Sequence, residues 1–117
     1  MSDDSFEEFS AALTSATEDL GDGEAVLGVF KMFAERLPGR LNELQNASDA
    51  GNFKLMSEIA HKEKGACQCL KLDDMAADFA VVEDSGKQQQ CAERGLLERL
   101  HRKGERLLVY LASVMPG

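Results

Sequence analysis

Tryptophan is absent from this chain, and aromatic residues make up only 6% of it. β-Branched residues are sparse, whereas Ala, Leu, Glu, Lys and Gln dominate. That balance disfavours sheet and favours helix. No apolar run approaches the roughly eighteen residues a membrane span needs, so no membrane segment is expected. Three cysteines are too few and too odd in number for a disulfide framework. With no secretory leader legible at the start, they are expected to be reduced thiols in a cytoplasmic protein. Basic residues are missing from the first 24 positions, which carry eight acids. The rest of the chain balances at thirteen acids and thirteen bases, and the whole carries a net charge of −8. An acidic first segment argues against nucleic acid or an anionic membrane as partner and is mainly a solubilising face.

What is present is helical periodicity. A chain of 117 residues is read as one domain with a proper core. Phe6, Phe9, Leu13, Ala16 and Leu20 step by three and four, predicting a helix over 5–20. Ser5 with Glu8 forms a capping box, and Gly21 is a stop. A second helix over 24–47, capped by Asp22, has the seam Val26, Phe30, Phe33, Leu37, Leu41 and Leu44. Leu27 and Ala34 flank that seam. Pro38 sits inside this helix, where a kink is expected without loss of phase. Asn52 caps a third helix over 53–70, and Asp73 caps a fourth to about Asp84, with Ser85-Gly86 as the next turn. The last helix is expected over 88–114, with Leu97, Leu100, Gly104, Leu107, Leu111 and Val114 as its seam. Gly104 on that seam would let a neighbouring helix come close. Short connections make neighbours antiparallel. The fold class is therefore all-α: an antiparallel four-helix bundle with an additional short N-terminal helix.

The third helix divides into two faces at about 100° per residue. Met56, Ile59, Ala60, Ala66, Cys67 and Leu70 gather on one side. His61, Lys64, Gly65 and Gln68 gather on the other at offsets of three, four and seven. A lone histidine on a helix is more often an ordinary surface residue than a nucleophile. His101, followed by Arg102, Lys103 and a core-facing Gly104, is read as such a boundary residue. His61 has in addition a lysine one turn on, no side chain at Gly65 and an outward face. Zinc binding by His61, Cys67 and Cys69 is set aside, because the two cysteines point about 200° apart on one helix.

His61-Lys62-Glu63-Lys64-Gly65 resembles the His-x-x-Lys-Gly signature of histidine-containing phosphotransfer (HPt) domains. The likeness extends through Leu20-Gly21-Asp22-Gly23-Glu24, Phe30, Phe33, Leu37-Pro38, Leu41 and Leu44, the turn Ala50-Gly51-Asn52-Phe53, Leu70, and the pair Val82-Glu83. It implies a four-helix bundle with the histidine exposed. The imidazole would accept a phosphoryl group from the aspartate of one receiver domain and pass it to another. The partners implied are the receiver domain of a response regulator or of a hybrid sensor histidine kinase. A monomer with no cofactor of its own is expected, Mg²⁺ coming with the receiver, and no independent catalytic activity. The chain shows no glycine-rich nucleotide loop.

The residues suit that role. Imidazole, with a reference pKa of about 6.5, is largely neutral near pH 7 and can attack phosphorus. Lys64 can offset phosphoryl charge, and Gly65 leaves room for a docking receiver. Gln68 completes the face. Glu83 falls where the family often places a side chain that hydrogen-bonds the imidazole and sets its tautomer. Two positions depart from the pattern. Glu63 replaces an apolar residue in the middle of the seam, so it must find a partner, protonate or be exposed. Lys71 stands where glycine commonly follows leucine. If these departures marked lost transfer, the chain would be a non-phosphorylated helical interaction module that binds a sensor kinase or response regulator. An enzyme with its own substrate ranks third, because no acid–base pair or nucleotide motif is visible.

Overall fold

A computed structural model describes residues 4–115. Five helices make up nearly all of them: α1 (Asp4–Leu20), α2 (Gly23–Asp49), α3 (Phe53–Cys69), α4 (Asp73–Lys87) and α5 (Arg94–Val114). No strand occurs among the described residues. The expected Pro116-Gly117 ending lies outside them.

Local chemistry sets most of the boundaries. The Asp22 carboxylate accepts the Ala25 N–H at 3.1 Å and starts α2. The Asn52 side-chain oxygen accepts the Leu55 N–H at 3.3 Å and starts α3. The ends of α2, α3 and α4 share one design. A backbone N–H beyond the helix doubles back to a carbonyl of the last turn, from Asn52 to Ala47 at 2.8 Å, Leu72 to Cys67 at 2.8 Å and Gln90 to Ser85 at 2.9 Å. The residue before each of those donors is left-handed, with φ of 70° at Gly51, 62° at Lys71 and 58° at Gln89. Lys71 thus takes the conformation for which glycine is the usual choice, at a cost of roughly 1–2 kcal/mol. Its ammonium lies 2.9 Å from the Asp19 carboxylate and ties the α3–α4 turn to α1.

Helices α2 to α5 form a closed ring in which α3 and α5 each pack on both α2 and α4. Helix α1 lies against α5 and α2. At about 1.5 Å per residue, α2 spans roughly the 42 Å long axis of the molecule. It runs unbroken through Pro38. Its whole predicted seam is buried, together with Met56, Phe79, Val82, Leu100, Leu107 and Leu111 from the other three bundle helices. Gly104 does permit close approach: a Cβ there would lie 2.8 Å from Leu37 Cδ2.

Several boundaries differ from expectation. Helix α1 begins at Asp4, so Ser5 lies in the first turn and not at the cap. Asp73 is the first residue of α4; Leu72 is its cap and supplies no side-chain bond. Ser85-Gly86 is not a turn, because α4 continues to Lys87. Helix α5 starts at Arg94, later than 88. Residues 88–93 form a connection held by buried Ser48, whose hydroxyl accepts the Ala92 N–H at 2.9 Å. Leu20 and Val114, at the far ends of their seams, are exposed. Tyr110 is buried instead, with the rings of Phe6 and Phe9 centred 5.4 and 5.8 Å from it. That aromatic cluster seats α1.

Glu63 is buried and partnered. Arg36 Nη2 donates to it at 3.0 Å, and Arg40 Nε lies 3.6 Å away. A second buried acid, Asp78, was not anticipated. Arg99 grips it through two N–H groups at 2.7 and 3.3 Å, and Lys103 donates at 3.0 Å while also pairing with Asp74. Burial pushes the Asp78 carboxyl up, but the hydrogen bonds from Arg99 and Lys103 outweigh it and leave it below its ordinary value.

The three cysteines occupy different environments. Cys67 is buried, and Cys69 and Cys91 are exposed. Burial, with the nearby Glu63 charge second, pushes the Cys67 thiol up to about 12. A water-soluble disulfide reagent at pH 8 should therefore modify Cys69 and Cys91 in the native protein and reach Cys67 only after denaturation. Native modification of Cys67 would contradict this packing.

Candidate functional site

The site grows from the outward face of α3. Met56, Ile59, Ala60 and Cys67 hold the inner face in the core. His61 is therefore turned out, with its side chain 66% exposed. One residue from α4 reaches it. Glu83, only 6% exposed, places Oε2 3.0 Å from His61 Nδ1. A carboxylate can only accept, so Nδ1 carries the proton and donates it, and Nε2 keeps its lone pair.

Two lysines complete the cluster. Lys64, one turn along α3, places Nζ 2.7 Å from Glu83 Oε1. Lys87, one turn along α4, places Nζ 3.3 Å from Oε2, the oxygen that His61 also uses. The hydrogen bond from Lys64, followed by those from Lys87 and His61, overcomes burial and holds the Glu83 carboxyl down at about 2. One carboxylate faces two ammonium groups, so these three side chains keep one positive charge beside the imidazole. That excess favours an arriving anion.

Glycines shape both sides of this contact. A Cβ at Gly86 would meet the Phe53 carbonyl oxygen at 2.9 Å and Ser57 Cβ at 3.0 Å. Ser57 precedes His61 by one turn, and Gly86 follows Glu83 by about one. Gly86 therefore lets α4 press against α3 where Glu83 must reach the imidazole. Gly65 is different. A Cβ there would meet nothing within 4 Å, so its bareness serves the outside of the bundle.

Of the side chains singled out in the sequence, the fold joins His61, Lys64 and Glu83. Gln68 is exposed two turns along α3 and takes no part in these hydrogen bonds. Lys87 and Gly86 were missed. The signal for Lys87 is its spacing of four from Glu83. Gly86 was read as a turn because glycine at a helix end and glycine at a helix crossing look alike in sequence. Among the described residues, no group of three His, Cys, Asp or Glu side chains could hold a metal ion.

A family model of the Hpt domain matches residues 28–108. This chain belongs to the Hpt domain family. The match runs from within α2 into α5 and takes in His61, Lys64, Gly65, Glu83 and Lys87, leaving α1 outside. Curated proteins and solved structures yield no match to the chain. Hpt domains are helical bundles that carry out histidine phosphotransfer in two-component phosphorelays and interact with receiver domains and kinases, and the fold described above is of that kind. No helix of this Hpt domain is long and apolar enough to cross a membrane among the described residues.

The depressed Glu83 carboxyl links the site to stability. Its folded value, about 2, lies below the ordinary 4.5. Its contribution is thus complete above pH 4.5 and is lost as pH falls toward 2. Glu83→Gln should flatten the dependence of Tm on pH across that window, measured by circular dichroism; an unchanged slope would show that Glu83 does not contribute. Gly86→Ala should cost about 1–3 kcal/mol, the usual range for overpacking. It should also lower the Nδ1–H tautomer population of His61 in nitrogen-detected NMR. Gly65→Ala, by contrast, should gain up to about 1 kcal/mol from helix propensity. Equal effects of the two substitutions would contradict the close-contact role of Gly86.

Proposed function

We propose that this protein is a cytoplasmic phosphorelay carrier whose phosphoacceptor is His61 and whose helices form a single functional domain. The observation that carries the reading is an exposed imidazole with Nδ1 engaged by a buried carboxylate and Nε2 directed away from it. The group comes from a receiver-domain aspartyl phosphate. The Nε2 lone pair attacks phosphorus as the P–O bond to aspartate breaks, and the aspartate carboxylate leaves with its electron pair. Positive charge develops on the ring during attack, and Glu83 meets it through Nδ1–H. Lys64 anchors Glu83 and raises the local potential for the anionic donor. Transfer onward runs the same step in reverse. Mg²⁺ would reside on the receiver, where it neutralises the aspartyl phosphate.

Gly65 supports a large docking partner, because nothing in the bundle requires a glycine there. Both departures from the family pattern are accounted for away from the imidazole. Glu63 faces α2 and is paired with Arg36 and Arg40. Lys71 terminates α3 and contacts α1. Neither therefore argues for the interaction module that binds without carrying phosphate.

Incubation with a phosphorylated receiver domain should place acid-labile, alkali-stable label on the wild type and none on His61→Gln. Gly65→Gln should slow transfer roughly tenfold or more by displacing the receiver, with helicity unchanged. Receiver binding without label on the wild type would overturn the carrier reading in favour of the module.

A further inference from the structure

Glu83 holds two ammonium groups, but the two are not held alike. Lys64 Nζ is 2.7 Å from Oε1, which no other side chain among the described residues shares, and its side chain is 25% exposed. Lys87 Nζ is 3.3 Å from Oε2, which His61 Nδ1 already occupies at 3.0 Å, and its side chain is 64% exposed. Removing Lys87 leaves each buried oxygen with one donor, Lys64 on Oε1 and His61 on Oε2. Removing Lys64 strips Oε1 of its one donor among the described residues. A buried carboxylate oxygen without a donor is strongly disfavoured. The two lysines therefore differ in how free they are to leave.

We infer that Lys87 is the mobile cation of the site: it leaves Glu83 and pairs with the phosphoryl group on His61, while Lys64 stays and positions Glu83. This rests on His61 as the phosphoacceptor and reverses the part a sequence motif would give the two lysines. The trigger is electrostatic. Phosphorylation adds negative charge on the imidazole that Glu83 already contacts. A half-exposed ammonium on a flexible four-carbon stem, paired with the same carboxylate oxygen as the ring, can turn without orphaning a buried atom. No bond forms or breaks in this exchange; one ion pair replaces another. The unphosphorylated and phosphorylated forms then differ in where Lys87 points, at the edge of the α3–α4 face.

Chemical phosphorylation with phosphoramidate tests this without a receiver, since the imidazole displaces ammonia and acquires the N–P bond directly. Half-life of the phosphorylated protein and His61 tautomer in the unmodified protein are read in parallel. Lys87→Ala should shorten the half-life about fivefold, the worth of one exposed ion pair, with the tautomer unchanged, and Lys87→Arg should restore it. Lys64→Ala should instead lower the Nδ1–H tautomer population before any phosphorylation. A Lys87→Ala half-life equal to wild type, or an unchanged tautomer in Lys64→Ala, would overturn the division of roles. Because labelling here needs no receiver, a protein that labels chemically but accepts nothing from a receiver refutes the carrier reading and leaves this inference standing or falling on its own data.

Discussion

The hydrogen bond between Glu83 and His61 is the constraint on which this molecule depends. It joins α3 to α4 and orients an imidazole on the bundle surface. A carboxylate buried at a helix interface is tolerable only when its oxygens are satisfied. Here imidazole and two lysines satisfy them. The same arrangement that makes burial possible decides which ring nitrogen faces outward. Packing and chemistry are thus one problem at this position, and Gly86 is part of its solution because it brings the two helices close enough.

The rest of the bundle repeats the device. Glu63 sits between α3 and α2 with two arginines, and Asp78 between α4 and α5 with an arginine and a lysine. Three of the four interfaces in the ring therefore each contain one buried acid answered by cations. The fourth, between α2 and α5, is joined by apolar contact, with Gly104 fitted against Leu37. A buried carboxylate can be met by its partners in only one register, whereas an apolar seam tolerates sliding. In this arrangement each acid meets its cations across one helix interface, and the leucines and phenylalanines supply most of the burial. The cations involved are partly exposed, which keeps the desolvation cost on the acid side of each pair.

Much of this was legible in the chain as written. The seam of α2 and the outward face of α3 follow from spacing, because side chains three and four apart must share a side of a helix. Asp22 and Asn52 act as caps because their side-chain oxygens reach free N–H groups nearby in sequence. His61, Lys64 and Gly65 were recognisable for the same reason, all lying within about one turn. Glu83 came from its place in the family pattern and not from any rule of spacing. Asp78 and the crossing at Gly86 were not legible, and Lys87 was passed over although it lies four residues from Glu83. Asp78 looks like a solvated acid until α5 brings Arg99 and Lys103 against it. Gly86 looks like a turn until α4 is seen pressing on Phe53 and Ser57.

Local sequence was thus enough to decide that the chain is helical, where most helices start, and which face of α3 carries the histidine. These are matters of short-range sterics and periodicity, in which every interacting group lies within a few residues. Which nitrogen of that histidine is left free, which acids are buried, and which lysine is held by a second helix depended on helices that meet across about twenty positions of chain. Periodicity states that a side chain faces inward; only the assembled bundle supplies the charge it meets there.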